Sequence, residues 1–210
     1  MSILKFNEHG GLVELWDTFK KIEKECGPFI ELMRKHKDIN PYFKIGDHPL
    51  LYRGIGNTKA PIIEKNIRRD RKSSDTQKYI DVVKFDEEFE KRYGEGVRPN
   101  SAGLYCTFDI NQADRYGNIY IIFPRGVFDY LVCGSADSVW IWEQIHDEEG
   151  LSDGELIPHD IVLGEIRTGW HFNDKLDYGI EHGGEVVIIG DSYYAISENY
   201  KDQIIGFLYE

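Results

Sequence analysis

Cysteine is scarce in this chain: Cys26, Cys106 and Cys133 are the only three in 210 residues, and no two share a metal-ligand or redox-motif spacing. That excludes a disulfide-built scaffold and predicts a reducing, intracellular setting. The seven histidines include no HExxH-like pair, and His146, His159 and His171 are scattered among acids, so no metal is expected. Long apolar runs are missing too. Nowhere do about 18 apolar residues follow one another, so no membrane span is expected. The opening MSILKFNEHGG has no basic segment leading into an apolar one, so no signal peptide is read. Excess positive charge is also lacking. A formal net charge of -12 repels phosphates and argues against general DNA binding. The expectation is a soluble, cytoplasmic protein without repeats or low-complexity linkers.

What is present is an ordinary globular composition, 41% hydrophobic and 13% aromatic. The length favours a single domain, with a helical part over 1–48 and a β-rich core over 49–210. Leu12, Leu15, Trp16, Phe19, Ile22 and Cys26 recur at three- and four-residue steps and predict one helix. Gly27-Pro28 breaks it, and Pro28 starts a second through Phe29, Leu32 and Met33. A later helix carries Ile80, Val83, Phe85, Phe89 and Tyr93. A short one covers Asn111 to Tyr116, with Asp109 or Asn111 as N-cap and Gly117 as its stop. Strands are expected at Leu50–Gly54, Leu104–Phe108, Asn118–Phe123, Tyr130–Cys133, Ile161–Thr168, Gly184–Ile189, Tyr193–Ser197 and Ile204–Tyr209. Helices first and strands later, without βαβ alternation, predict an α+β fold.

Three features carry chemistry. Arg53 lies within the apolar run Leu50-Leu51-Tyr52-Arg53-Gly54, where a guanidinium needs an anionic partner. That partner is either a carboxylate in a buried ion pair or a phosphate, which suits the planar fork. Gly54 would let a ligand approach the backbone. The second feature, Ser101-Ala102-Gly103-Leu104-Tyr105-Cys106-Thr107-Phe108, sets a small hydroxyl or thiol pair at a strand start before a short helix, where it could orient another polar side chain; on its own it reads first as an ordinary strand with a Thr in it and a capped helix after it. The third, Glu181-His182-Gly183-Gly184-Glu185, puts a carboxylate at the mouth of the apolar strand Val186-Val187-Ile188-Ile189. Glu185 is either the last solvated residue before burial or a group facing a cleft.

Taken together and in this order, the three features resemble the arginine–serine–glutamate class of ADP-ribosyltransferases, which includes bacterial toxins and transferases carried by phages. The resemblance spans roughly residues 49 to 209 and rests on order and spacing. Tyr52-Arg53-Gly54 matches the aromatic-Arg motif, Gly103 to Phe108 the Ser-Thr-Ser strand, Asn118 to Gly126 the strand that follows it, and Glu185 the catalytic glutamate. It implies N-terminal helices followed by two packed, mostly antiparallel sheets around an NAD cleft. It assigns NAD binding to Arg53, Gly54, Tyr52 and Cys106, and catalysis to Glu185 with Thr107 as the supporting hydroxyl. In that family the glutamate stabilises positive charge developing at the anomeric carbon as nicotinamide leaves, much as glycosidase carboxylates do.

Two positions depart from the family pattern. The first serine of the Ser-Thr-Ser motif falls on Cys106, a weaker donor, and the position two before the glutamate is Gly183. NAD is therefore better supported than transfer to an arginine side chain; another acceptor or NAD hydrolysis stays open. The loop from Asn173 to Ile180 corresponds to the family's acceptor-recognition loop, with Tyr178 and Glu181 as candidate contacts. Arg68-Arg69-Asp70-Arg71-Lys72 is either a solvated loop or an anion site for pyrophosphate or an RNA acceptor. The implied function is mono-ADP-ribosylation of a host protein or RNA by a phage-encoded enzyme acting in host cytoplasm, with NAD as substrate and no metal. The alternatives are a catalytically silent protein of this fold that blocks a host factor, or a virion component.

Overall fold

The computed structural model describes residues 11–41, 48–56, 58–70, 75–134 and 138–209. Helix α1 (Gly11–Glu25) buries Leu15, Phe19 and Ile22, and Cys26 extends the line to α2 (Gly27–Lys35), which starts with Pro28 and buries Phe29, Ile30 and Met33. Trp16 does not share this burial and is 64% exposed. At about 100° per residue it sits a quarter-turn from Leu15, while Phe19 and Ile22 stay within about 40° of it.

Strand β1 (Tyr52–Ile55) follows, then β2 (Ile62–Asn66), which lies in a stretch whose polarity concealed it. Among the described residues β2 pairs with a single neighbour, and charged side chains such as Glu64 and Lys65 are typical of a sheet edge. Helix α3 (Val82–Tyr93) is capped by the Asp81 carboxylate, which accepts from the Val83 and Lys84 amides. It buries Phe85 and Phe89 and leaves Val83 exposed. Its buried Asp86 accepts from the amides of Asn100 (2.8 Å) and Ser101 (2.9 Å) in the one-turn helix α4 (Pro99–Ala102), which leads into β3 (Leu104–Thr107).

Helix α5 (Ile110–Asp114) takes Asp109 as its cap, accepting from Asn111 N at 2.9 Å, and Gly117 (φ 129°) ends the turn after it. Then come β4 (Asn118–Pro124), β5 (Asp129–Cys133), α6 (Ser138–Glu148), α7 (His159–Gly169), β6 (Trp170–Phe172), α8 (Leu176–His182), β7 (Glu185–Ile189), β8 (Ser192–Ser197) and α9 (Lys201–Tyr209). Two expected strands are therefore helices: 161–168 lies in α7 and 204–209 in α9. Their β-branched residues look like strand, but Val162 with Ile166, and Ile204 with Leu208, are buried at i,i+4 spacing. Packing overrode propensity there.

The strands join in the order β2-β8-β4-β1-β3-β7-β5-β6, all neighbours antiparallel. The fold is α+β with one antiparallel sheet, where two packed sheets were expected. The seam is narrow, because β1 meets β3 through the pair Tyr52↔Thr107 while β1–β4 and β3–β7 are each paired over four positions. The apolar run of β7 is explained by burial on both faces: Val186 and Ile188 join the cluster built by α1, α2 and α9, and Val187 joins Trp142 and Trp170 in the other.

Candidate active site

Antiparallel pairing assembles the site. Tyr52 opposes Thr107, and Thr107 opposes Glu185, so residues from β1, β3 and β7 form one row across the sheet. Beside that row opens a cavity of about 300 Å³ whose lining includes Tyr52, Arg53, Gly54, Cys106, Thr107 and Glu185. All six residues assigned to NAD binding and catalysis in the sequence thus meet at one place.

Arg53 is half-buried, and its Nη1 donates to the Tyr105 carbonyl. Among the described residues no carboxylate forms an ion pair with it, so of the two partners left open by the sequence the carboxylate is not found there. One of its five N–H donors meets a backbone acceptor, and the side chain lines the cavity.

Glu185 is only 8% exposed and accepts a hydrogen bond at Oε1 from the Ser138 hydroxyl at 2.8 Å. Ser138, itself buried, is the first residue of α6. It was not singled out in the sequence. The available signal was a serine immediately before the apolar run Val139-Trp140-Ile141-Trp142, a helix-start pattern.

Thr107 does not support Glu185 directly. Its Oγ1 lies 2.9 Å from Gln112 Oε1 and 3.1 Å from the Gly183 carbonyl, and it accepts from Asp109 N at 3.0 Å. A hydroxyl has one proton, so it donates to one of the first two at a time. Thr107 therefore ties the start of α5 to the turn that delivers Glu185. Gly183 ends α8 in the left-handed conformation (φ 66°). That helix-terminating role is a local physical reason for glycine two positions before the glutamate.

Cys106 lines the cavity but is 3% exposed and packs in the apolar core. Desolvation pushes its thiol up to about 12, with Arg53 pulling it down and Glu185 pushing it up. It is a neutral thiol at ordinary pH, and its Sγ donates to the Leu104 carbonyl. Gly54 also has a packing reason. A Cβ there would run into the Ala113 carbonyl and come within 2.8 Å of Tyr116 Cβ, so it is α5 that closely approaches this backbone.

Tyr178 and Glu181 stand elsewhere. Most of the expected acceptor loop is helix α8, and both residues line a second cavity of about 630 Å³ with Glu165, His171, Lys175 and Asp177. Tyr178 stacks on His182 at 4.1 Å and donates to the Gly134 carbonyl at 3.2 Å. In the basic run, Arg69 pairs with Asp191; neither Arg68 nor Arg69 lines the first cavity, and residues 71 and 72 lie outside the described residues. Among the described residues no group of three or more histidine, cysteine or acidic side chains could hold a metal, and no helix is long and apolar enough to cross a membrane. No family model, curated protein or solved structure matches the chain.

Proposed function

We propose that the protein is an NAD-dependent mono-ADP-ribosyltransferase acting on a host protein or RNA, phage-encoded and at work in host cytoplasm. The observation that carries this reading is the meeting of Arg53 and Glu185, 132 positions apart in sequence, at one cavity with aromatic walls from Tyr52, Tyr105 and Tyr116. On this reading the fold is ADP-ribosyltransferase-like, and the two four-stranded halves that meet at Tyr52↔Thr107 correspond to the two sheets around the cleft.

The residues fit NAD chemically. The cavity offers a guanidinium without a carboxylate partner among the described residues for a pyrophosphate, flat aromatic surface for a planar ring, and a buried carboxylate for a ribose. NAD supplies a neutral leaving group, nicotinamide, which takes the electron pair of the broken glycosidic bond while a nucleophile of the acceptor bonds the anomeric carbon and releases its proton. Arg53 holds the phosphates and Glu185 faces the positive charge developing at that carbon. A carboxylate about 4 Å from a unit charge contributes roughly 4 kcal/mol at an effective dielectric near 20. That corresponds to about a thousandfold in rate.

The test is labelled NAD incubated with the protein and a bacterial lysate. Label should move to a macromolecule, and Glu185→Gln should reduce transfer by roughly a hundred- to a thousandfold. No transfer by the wild type, or equal transfer by Glu185→Gln, removes the enzymatic reading. A second reading, a silent protein that binds and blocks a host factor, is favoured by α8, which carries Tyr178 and Glu181 to a cavity apart from Glu185. Tight partner binding in calorimetry, unchanged in the Arg53→Ala, Glu185→Ala double variant, would favour it.

A further inference from the structure

We propose that Ser138 is a positioning residue for Glu185, supplying from a helix the hydroxyl that a motif serine at position 106 would otherwise supply from a strand. This rests on the reading of Glu185 as the catalytic carboxylate. Among the described residues, Cys106, Thr107 and Ser138 each bring a polar side-chain hydrogen near the carboxylate. The Cys106 thiol donates to Leu104 O, and the Thr107 hydroxyl is engaged with Gln112 and Gly183. Of these three it is the Ser138 hydroxyl that reaches Glu185, at 2.8 Å, and it does so from a position that is 3% exposed.

The setting strengthens the contact. Ser138 opens α6, an eleven-residue helix, and the start of a helix favours a nearby negative charge through its unpaired amides and dipole. A carboxylate held at one oxygen by a buried hydroxyl loses rotation about its terminal bond. Such preorganisation is what charge stabilisation in a transition state requires. The start of α6 is also packed in place, since Ser138 is buried and Trp142, one turn on, is buried in the core.

Nicotinamide release from NAD by the full chain tests the role. Ser138→Thr keeps the hydroxyl; Ser138→Val lacks it at nearly the volume of threonine; Ser138→Ala removes it with less crowding. We expect Val and Ala to lose about 10- to 100-fold in kcat. KM should stay within about threefold, and Thr should keep kcat within about threefold. If Val does not fold, as judged by its unfolding temperature, the Ala and Thr pair gives the same comparison. Equal losses in Thr and in the hydroxyl-free variants would make the effect one of packing and overturn the proposal, as would a rise in KM with kcat unchanged. An active wild type with Val and Ala unchanged overturns the role of Ser138 alone; a wild type that releases no nicotinamide overturns the catalytic reading and this role with it.

Discussion

Thr107 and Glu185 face each other directly across the β3–β7 ladder, yet the Thr107 hydroxyl serves the Gly183 carbonyl and Gln112 while Glu185 is held by Ser138 from α6. Thr107 thus fixes the turn that carries the carboxylate, and Ser138 fixes the carboxylate itself. Thr107→Val should accordingly lower stability by about 1–2 kcal/mol, because buried acceptors and the Asp109 amide lose their partner. Its loss of NAD turnover should be smaller than that of Glu185→Gln. Urea unfolding and nicotinamide release measured on the same preparations check both statements.

Gly54→Ala should destabilise the fold by about 1–3 kcal/mol, the range for forcing atoms into a packed site. The obstacle is the backbone carbonyl of Ala113, which cannot rotate away as a side-chain tip can. A Gly54→Ala protein with wild-type unfolding midpoint would contradict the close packing of α5 on β1.

The thiols of Cys26 and Cys106 are both pushed up to about 12, chiefly by desolvation. At pH 8 that leaves about one part in ten thousand as thiolate, and Cys133 is buried as well. Ellman's reagent should therefore titrate close to no thiols in the native protein and all three in urea. Rapid labelling of native Cys106 would refute the assignment of a neutral packing role.

Glu25 provides a pH test. A hydrogen bond from the Tyr194 hydroxyl, with the charge of Arg125, lowers its pKa in the folded state below the ordinary 4.5. A depressed carboxylate pKa stabilises the fold above the unfolded-state value, and that stabilisation is lost as pH falls through the folded-state value. Glu25→Gln should be less stable than wild type at neutral pH, and the gap should close as the pH drops below about 4.5. Denaturant titrations of both proteins across that range decide it; a gap that stays constant would mean that ionisation of Glu25 contributes nothing.

The sequence by itself determined what depends on neighbours along the chain. The Leu15–Phe19–Ile22–Cys26 stripe, the Pro28 helix start, the Asp109 cap and the apolar runs of β4 and β7 were all legible because each is a local pattern. The candidate residues Arg53, Thr107 and Glu185 were legible only as types in an order. Their meeting at one cavity depends on strand register, which local pattern does not specify. The tertiary structure alone decided that α7 and α9 are helices, since β-branched residues at i,i+4 spacing follow the surface that buries them. It alone showed that Ser138 reaches Glu185 across 47 positions, while Tyr178 and Glu181 turn to another cavity. Side chains that meet through folding leave no mark in the spacing between them.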